Sequence, residues 1–249
     1  MNDEVLLELL HEVVDEVAVA LASVGDWGPS GRRDGQYAAD LIADAVALEV
    51  LERGGAGVLS EESGLRNEDR PLLVVVDPLD GSTNAAQGIP WFATSLCAFD
   101  GDGPRVSVVA NQAASPVRYE AVRGGGARRD GEAITPSPTT SLHEAVVGIS
   151  GYPAQLVGWW QFRSLGAAAL DLCLVADGTL DGYVDCSRSA HGIWDYAGAL
   201  LVCREAGALI VDVDRRDMLT LDPAMRRTPV AAGSAALFDE LLAARLSFG

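Results

Sequence analysis

Residues 74–84, VVVDPLDGSTN, place two aspartates directly after a run of β-branched apolar residues. The run at 72–77 predicts a short buried strand, and Pro78 is expected to end its ladder pairing. Asp77 therefore reaches the sheet edge, where Asp80 can converge with it on one point. Two convergent carboxylates repel each other unless a cation lies between them, and oxygen ligands suit Mg²⁺. An ordinary Asp-Gly turn is the alternative for Asp80.

The next four residues, Gly-Ser-Thr-Asn at 81–84, have the character of a helix start. A glycine lets a ligand approach the backbone closely, and the free N–H groups of a first helical turn point at an anion. Carboxylates that suit a metal ion, followed by a helix start that suits a phosphate, are the layout of a metal-dependent phosphoesterase. The strand and the turn together therefore favour phosphate chemistry.

The charge balance of the chain limits its partners. The formal charge is −18 and the chain contains no lysine, so we expect no nucleic-acid partner bound through a basic face. The same charge would repel an anionic substrate unless cations held by carboxylates reversed the local field. No run approaches the roughly 18 apolar residues of a membrane span, and the first residues are acidic. We therefore expect a soluble cytoplasmic protein without a membrane partner.

Cysteine and histidine are too sparse for several other kinds of site. The four cysteines form no CxxC pair and the chain has three histidines. This pattern disfavours a zinc cluster, a disulfide framework and a Ser-His-Asp site. The cysteines are interpreted as buried thiols.

Apolar spacing divides the chain into alternating helices and strands. Amphipathic helices are predicted at 4–22, capped by Asn2 or Asp3, and at 36–53, ended by Gly54-Gly55. The other predicted elements are strands at 72–77, within 93–112 and 117–134, and at 145–150, 180–185 and 208–214, with helices at 166–178, 194–206 and 235–246. The alternation predicts a layered α/β or α+β fold with a mixed sheet in each half.

The halves are predicted to meet at the segment PSPTTS, residues 136–141, which is the expected linker. The N-terminal half, 1–140, carries the two aspartates, and the C-terminal half, 141–249, is an α/β unit. We expect the two halves to form one compact unit.

Three motifs resemble the signatures of the inositol monophosphatase superfamily. They are DPLDGSTN at 77–84, LSEESG at 59–64 and WDYAGALLVCREAGA at 194–208. Two smaller matches, RSLGAAALDLCLVADG and GYVD, extend the resemblance over most of the chain. Motifs in this order and at these distances are a specific signal. The sequence around these motifs is most similar to the archaeal-type fructose-1,6-bisphosphatase/inositol monophosphatase branch.

The resemblance implies an α-β-α-β-α sandwich and a Mg²⁺-dependent phosphomonoesterase that acts as a homodimer. The implied substrates are small phosphorylated sugars or cyclitols, namely fructose 1,6-bisphosphate and inositol 1-phosphate. The implied reaction is in-line attack of a water activated by two or three Mg²⁺ ions. The alternatives are a phosphatase of 3′-phosphoadenosine 5′-phosphate, histidinol phosphate or NADP, and a catalytically silent regulator. Intact acidic residues argue against the regulator, because a silent homologue has no need of mutually repelling carboxylates.

The resemblance also assigns roles to individual residues. The implied metal ligands are Glu61, Asp77, Asp80, Asp195 and the carbonyl of Leu79. Glu61 with the Ser82 hydroxyl orients and deprotonates the water, and Asp40 faces the outer metal. Ser82 stands where many relatives have threonine, and Tyr37 also replaces a threonine, which leaves no clear role for its hydroxyl. Asp44 shares the helix face of Asp40.

The remaining implied roles concern the substrate. Gly81 and Ser82 provide amides to the phosphate. The implied contacts to the rest of the substrate come from Asp80, Gly166, Ala167, Ala168 and Asp185. Arg163 and Arg188 are candidates for holding a second phosphate, with surface ion pairing as an equal alternative. Asp195 by itself is also typical of an N-cap for a helix that begins near Tyr196.

Overall fold

The computed structural model of the protein describes residues 1–113 and 117–248. The helices in these ranges are α1 (Asp3–Ala22), α2 (Ala38–Arg53), α3 (Ser82–Ala86), α4 (Ala168–Ala176), α5 (Ala197–Ala206) and α6 (Ala235–Leu246). The strands are β1 (Gly57–Ser60), β2 (Gly64–Arg66), β3 (Leu73–Asp80), β4 (Ala93–Asp100), β5 (Gly103–Asn111), β6 (Arg118–Val122), β7 (Gly126–Arg129), β8 (Glu132–Ala133), β9 (Val146–Ser150), β10 (Gln161–Arg163), β11 (Gly182–Asp185), β12 (Leu209–Asp212) and β13 (Pro229–Ala232). Short 3₁₀ turns lie at Leu142–Glu144 and Ile193–Asp195.

Within the described ranges the helices and strands stack as an α-β-α-β-α sandwich. Helices α1 and α2 cover one face of the first sheet, and α4 and α5 cover its other face. The same α4 and α5 contact the second sheet, whose far face packs against α6. Each interface is filled by its own cluster of buried apolar side chains. The predicted fold class is confirmed.

The first sheet has eight strands in the order β2-β1-β3-β4-β5-β6-β7-β8 among the described residues. Strand β3 pairs parallel with β1 and antiparallel with β4, so the sheet is mixed. The loop after β1 and the carboxyl end of β3 therefore meet at one edge.

The second sheet has the order β10-β9-β11-β13-β12 over the described residues. Strands β10, β9 and β11 are parallel neighbours, whereas β13 runs antiparallel to β11 and β12. Residues of β9 and β11 line a cavity together with Asp80 of the first sheet, and α4 contacts both sheets. The site described below lies at this junction.

Most predicted elements are confirmed, and several short strands were missed. The cap of α1 is Asn2, whose side chain accepts a hydrogen bond from the Val5 N–H at 2.9 Å. Strands β1, β2, β10 and β13 were not predicted because each has only three or four residues, too few to show a period. The predicted linker 136–141 has no regular structure, yet it is packed: the Ser137 hydroxyl donates to Asp181.

The described cysteines are free thiols, three of them buried and Cys186 half-buried. None of the helices in the described ranges is both long and apolar enough to cross a bilayer.

Candidate active site

Strand β3 carries Asp77 and Asp80 on a bulged end. The ladder with β4 pairs Asp77 with Ser95 and resumes at Asp80, with a register shift between them. The prediction that Pro78 ends the pairing was therefore wrong. Pro78 has no N–H to donate, but it lies in the irregular part of the ladder between Asp77 and Asp80, so the strand stays in the sheet. The Pro78 carbonyl accepts from the Thr94 hydroxyl at 2.9 Å. The bulge holds both carboxylates at the sheet edge.

Three carboxylates from separate elements converge at this edge. Glu61 follows β1, Asp77 lies in β3 and Asp195 ends the 3₁₀ turn before α5. One oxygen from each lies within 4.8 Å of the others. Three carboxylates at this separation repel one another strongly, so a cation between them would stabilise the folded site.

Burial and mutual repulsion raise the pKa values of these acids. The pKa of Glu61 rises to about 8, because burial disfavours the charged form and Asp195, Glu62 and Asp40 add repulsion. The pKa of Asp77 rises well above its ordinary value through burial and through repulsion from Glu61. A cation bound among these carboxylates would lower their pKa values again, because it favours the ionised form.

Asp80 lies outside that set of three and joins the two halves of the chain. Its oxygens accept from the backbone N–H of Ala169 at 2.8 Å and of Ala168 at 3.3 Å, the first turn of α4. Burial and repulsion from Asp195 raise the pKa of Asp80 to about 8, although the Ala169 N–H opposes the shift. Asp80, which belongs to the N-terminal half, thus caps α4, a helix of the C-terminal half.

The residues after Asp80 bring the chain close to α4. Gly81 has φ 82°, and a Cβ there would lie 3.0 Å from the Ala167 Cβ and 3.1 Å from the Gly166 carbonyl. The Asn84 amide donates to the carbonyl of Leu165 at 2.7 Å and to that of Trp91 at 2.8 Å. Sequence reasoning missed this role of Asn84, since a carbonyl partner 81 residues away leaves no local signal.

Asp40 lies near the start of α3. Its carboxylate accepts from the Tyr37 N–H at 2.7 Å, which closes the first turn of α2. Burial raises the pKa of Asp40 to about 6, while the Tyr37 N–H and the nearby Ser82 hydroxyl lower it. The Tyr37 hydroxyl donates to Thr83 at 3.3 Å. Asp40 is therefore brought to the edge of the acidic cluster.

The neighbouring Asp44 supports the turn that carries Glu61. Its carboxylate accepts from the hydroxyls of Ser60 and Ser63, on either side of that turn. Arg33 lies 3.8 Å from Glu61 and 3.0 Å from Glu62. Asp44 thus positions the turn that carries Glu61. The contact of Arg33 with Glu61 and Glu62 was not predicted from the sequence.

A cavity of about 370 Å³ opens beside the cluster and is called the inner cavity. It is lined by Asp80, Ile149, Ser150, Gly151, Ser164, Gly166, Ala167, Ala168, Asp171, Tyr183, His191 and Asp195. The predicted backbone contacts of residues 166–168 therefore lie in its wall. The volume suits a small cyclic polyol or sugar.

His191 lies between two carboxylates at the cavity wall. Its Nδ1 is 3.2 Å from Asp195 and its Nε2 is 3.6 Å from Asp185. Burial disfavours the charged imidazole, but the hydrogen bond to Asp195 and the charges of Asp195 and Asp185 raise the pKa of His191 to about 9. Sequence reasoning missed this residue. Its position four residues before Asp195 was the available signal.

Asp185 ends β11 and is fully buried. One oxygen accepts from the Ser187 N–H at 2.9 Å, and the other has no hydrogen-bond partner among the described residues. Burial raises the pKa of Asp185 to about 6 against the opposing charge of His191. Arg245 of α6 donates to the Asp185 carbonyl at 2.6 Å. The oxygen without a hydrogen bond is 3.6 Å from Nε2 of His191, and Asp185 lies outside the lining of the inner cavity.

Asp171 is a second residue of the cavity wall, after His191, that sequence reasoning missed. The Trp91 indole N–H donates to it at 2.7 Å. Burial raises the pKa of Asp171 to about 7, although the Trp91 hydrogen bond lowers it. Its position within α4 resembles a packed helical residue, so the sequence carried no signal of its exposure to the cavity.

Arg163 and Arg188 are exposed and lie outside the lining of the inner cavity. The Arg163 guanidinium donates to the Phe162 carbonyl of its own strand at 2.7 Å. The N-cap of α5 is Tyr196, so the expectation that Asp195 caps that helix was wrong. Asp195 instead accepts from the Gly192 N–H at 2.8 Å, which turns its carboxylate toward the cluster.

Comparisons with known proteins agree with this geometry. The sequence profile of the inositol monophosphatase family matches residues 9–248. The chain is 32% identical over 224 residues to the fructose-1,6-bisphosphatase/inositol-1-monophosphatase of Archaeoglobus fulgidus, covering 86% of this chain and 87% of the relative. It is 34% identical to the inositol-1-monophosphatase of Mesorhizobium japonicum, covering 83% and 80% of the two chains.

A solved structure shows the same fold over nearly the whole length. It is a hypothetical protein from Pyrococcus horikoshii with similarities to inositol-1 monophosphatase, superposed with a TM-score of 0.87 at 25% identity. The match covers 98% of this chain and 99% of that one. Together these findings confirm the predicted resemblance. The chain belongs to the inositol monophosphatase family and is a phosphatase, a phosphoric monoester hydrolase.

Proposed function

We propose that this protein is a Mg²⁺-dependent phosphomonoesterase that hydrolyses inositol 1-phosphate, fructose 1,6-bisphosphate or both by in-line attack of water. The observation that carries this proposal is the cluster of Glu61, Asp77 and Asp195, with oxygens within 4.8 Å of one another. The inner cavity adjoins this cluster, so an ester bond can lie beside the acids with its alcohol in the cavity. The name of the Archaeoglobus fulgidus relative includes both activities.

The donor set fits Mg²⁺. It consists of carboxylate oxygens, which are hard ligands; burial, and after it repulsion among these acids, raises the pKa values of Glu61 and Asp77. Glu61, Asp77 and Asp195 would hold the metal, with Asp80 and the Leu79 carbonyl as further ligands to two or three ions. When bound, Mg²⁺ supplies positive charge that stabilises the charge developing on the phosphoryl oxygens.

The chain's own groups perform the proton transfer and the positioning. Glu61 accepts the proton of the attacking water, and its carboxylate is ionised and able to do so when Mg²⁺ is bound. Ser82 orients that water through its hydroxyl, and the nearby Asp40 restrains the Ser82 hydroxyl. The amides of Gly81 and Ser82 lack partners within α3 and hold the phosphate.

The alcohol part of the substrate occupies the inner cavity. His191 lines the inner cavity and fixes the orientation of Asp195 and of the buried Asp185, which lies outside the lining. The backbone at 166–168 lines the wall. Among the described lining residues no arginine is present to receive a second phosphate. A separate cavity that includes Glu61 and Asp195 is lined by Arg33 and Arg226, so the second phosphate of a bisphosphate would have to bind outside the inner cavity. Inositol 1-phosphate, which needs only the inner cavity, is therefore proposed as the better substrate.

We also propose that the enzyme is a cytoplasmic homodimer with neither nucleic acid nor membrane among its partners. The charge of −18 supports the absence of a nucleic-acid partner, and the family resemblance supports the dimer. Sedimentation velocity would measure the oligomeric state directly.

A phosphate-release panel tests the activity. We expect inositol 1-phosphate to be hydrolysed fastest and fructose 1,6-bisphosphate more slowly, with release that vanishes in EDTA and returns with Mg²⁺. 3′-Phosphoadenosine 5′-phosphate, histidinol phosphate and NADP complete the panel. Faster release from one of these three would replace the proposed substrate. No release from any compound at saturating Mg²⁺ would overturn the proposed activity.

The pKa shifts predict how Mg²⁺ stabilises the fold as a function of pH. Glu61 and Asp80 have pKa values raised to about 8, above those of unfolded acids. A raised folded pKa contributes stability that is present below the unfolded pKa and lost as pH rises toward 8. The metal-free protein should therefore melt at a lower temperature at pH 8 than at pH 5.5.

Added Mg²⁺ should act in the opposite sense, because its ligands must be ionised to bind it. We expect Mg²⁺ to raise the melting temperature more at pH 8 than at pH 5.5, by about 2–4 °C for each kcal/mol of added stability. Differential scanning fluorimetry with EDTA or Mg²⁺ at each pH measures this difference. An equal Mg²⁺ effect at the two pH values would contradict binding at the acidic cluster.

A further inference from the structure

Asp171 is a buried acid of the inner cavity that takes no part in the metal binding or the proton transfer proposed above. It lies within α4, and 1% of its surface is exposed. It belongs to the lining of the inner cavity. Removal of a carboxylate from water costs free energy unless other polar groups replace that water, so a carboxylate at this depth needs hydrogen-bond donors.

Two N–H groups hold the Asp171 carboxylate in one orientation. The Trp91 indole donates to it at 2.7 Å, and the backbone N–H of Gly166 is a second donor. An ionised carboxylate has about four acceptor positions. The described residues therefore fill about half of these positions, and the others are available to a molecule in the inner cavity.

The positive charge near Asp171 is shared with other acids. Burial raises the pKa of Asp171 to about 7, and the charge of His191 opposes the shift. The ring nitrogens of His191, however, lie 3.2 Å from Asp195 and 3.6 Å from Asp185. No arginine is present among the described lining residues. Hydrogen-bond donors of a ligand can therefore complete the stabilisation of the Asp171 carboxylate.

The helix α4 places Asp171 one turn beyond the Asp80 end of the inner cavity. Asp80 accepts from the Ala168 N–H at 3.3 Å at the start of the helix. Residues three apart on a helix share a face, so Asp171 follows Ala168 along the cavity wall. Three residues correspond to about 4.5 Å along the helix axis. A six-membered ring with hydroxyls can span this step while its phosphate stays beside the acidic cluster.

The lining around Asp171 is small and rich in hydroxyls. Residues 166–168 carry no side chain larger than a methyl group, and Ser150, Ser164 and Tyr183 add hydroxyls to the wall. Such a wall leaves room for a ring and offers hydrogen bonds to several of its substituents. A polyol is the kind of alcohol that suits this surface.

We propose that Asp171 binds a hydroxyl of the alcohol part of the substrate and thereby selects polyol phosphates over phosphate esters of simple alcohols. The proposal rests on the phosphatase function proposed above and names a specificity-determining residue of the same site. The substrate O–H donates to the carboxylate in place of the water that was lost on burial. An ester without ring hydroxyls leaves the carboxylate without this donor and is bound more weakly.

A matched pair of esters tests this role. Inositol 1-phosphate and cyclohexyl phosphate have the same carbon ring and the same scissile phosphate, and they differ in the ring hydroxyls. We expect the wild-type enzyme with Mg²⁺ to favour inositol 1-phosphate in kcat/KM by at least about 100-fold. Phosphate release over a range of each ester measures kcat and KM.

Asp171→Asn should reduce this preference by about tenfold, the effect of losing one hydrogen bond to a charged acceptor. The loss should come from a higher KM for inositol 1-phosphate, while the rate with cyclohexyl phosphate stays at the wild-type value. Asparagine keeps the size of the side chain and an oxygen for the Trp91 indole. The difference between the two leaving groups is the same in both enzymes, so it cancels in the comparison.

Asp177→Asn is the matched control. Asp177 is the C-cap of α4, and its side chain is 4% exposed. It accepts from the Tyr119 hydroxyl and from Arg129, each at 2.8 Å, and it lies outside the lining of the inner cavity. This variant should be less stable, because a buried ion pair is broken, and it should keep the wild-type preference between the two esters.

A second variant tests the same role without changing the acid. Trp91→Phe removes the indole N–H that orients the Asp171 carboxylate, so it should lower the preference for inositol 1-phosphate by about threefold. This comparison remains available if Asp171→Asn folds poorly, which melting curves of both variants would show.

The outcomes separate the role of Asp171 from the phosphatase function. Release from neither ester by the wild-type enzyme would reject the proposed phosphatase function, on which this role rests. Release from inositol 1-phosphate with equal losses on both esters in Asp171→Asn would make Asp171 a structural residue of the wall and overturn this proposal alone. A wild-type enzyme without a preference, or variants that keep it, would also overturn the proposal.

Discussion

Asp77→Asn is expected to lower phosphate release by at least about 100-fold at limiting Mg²⁺. Loss of a residue that only hydrogen-bonds to a metal ligand typically costs about 10–100-fold in metal affinity or activity, and Asp77 is proposed as a ligand itself. Asp77 is buried, and its side chain lies with those of Glu61 and Asp195 in the acidic cluster. An amide removes the negative charge that attracts the cation. It keeps the oxygen that accepts from the Leu79 N–H at 3.0 Å.

The same substitution should leave the fold intact. The raised pKa of Asp77 shows that its ionised form is unfavourable in the metal-free protein, since burial and Glu61 both oppose the charge. The metal-free variant should therefore melt at the wild-type temperature or above it, and it should lose the Mg²⁺-induced increase.

Asp239→Asn, an exposed change on α6, is the matched control and should behave as wild type in both assays. Wild-type turnover of Asp77→Asn at limiting Mg²⁺ would show that Asp77 is not a ligand.

Glu61→Gln is expected to lower kcat by roughly 10²–10⁴-fold at saturating Mg²⁺, the usual contribution of a general base. Glu61 is 31% exposed, so it can reach a water, and its carboxylate is ionised when Mg²⁺ is bound and can then accept a proton. Glutamine keeps the shape but cannot accept that proton. KM should change little, because Glu61 lies outside the lining of the inner cavity.

Saturating Mg²⁺ is essential in this experiment, since Glu61 is also proposed as a ligand. Stopped-time phosphate assays over a range of inositol 1-phosphate separate kcat from KM. Glu68→Gln, an exposed acid on the loop after β2, provides the control. A variant that altered KM alone would make Glu61 a binding residue, and the water would then need another base.

Much of the fold follows from local patterns. The helix α1 has apolar residues at helical spacing over 20 residues and a capping asparagine, and α6 was predicted with the observed bounds. The short strands β10 and β13 have no such period. Their conformation depends on neighbours in the second sheet, with β10 pairing to β9 and β13 to β11.

The candidate site was predictable where a motif carried it. Asp77 was indicated by its strand, and Glu61 and Asp195 by the family resemblance; the structure brings all three together. His191 and Asp171 were missed because their roles depend on partners in other elements, such as Asp185 and Trp91. Arg163 and Arg188 lie outside the lining of the inner cavity, and sequence reasoning did not indicate this because the direction of an exposed side chain depends on its tertiary surroundings.

The cap that Asp80 places on α4 has a consequence for recombination among relatives. A chimera that takes one half from each of two parents must reproduce the contacts of Asp80 with Ala168 and Ala169, and that of Asn84 with Leu165. A change of about one ångström in these contacts between the halves would displace both the start of α4 and the acidic cluster. Crossovers between the halves should therefore yield folded but inactive hybrids more often than crossovers in the hairpins of the first sheet.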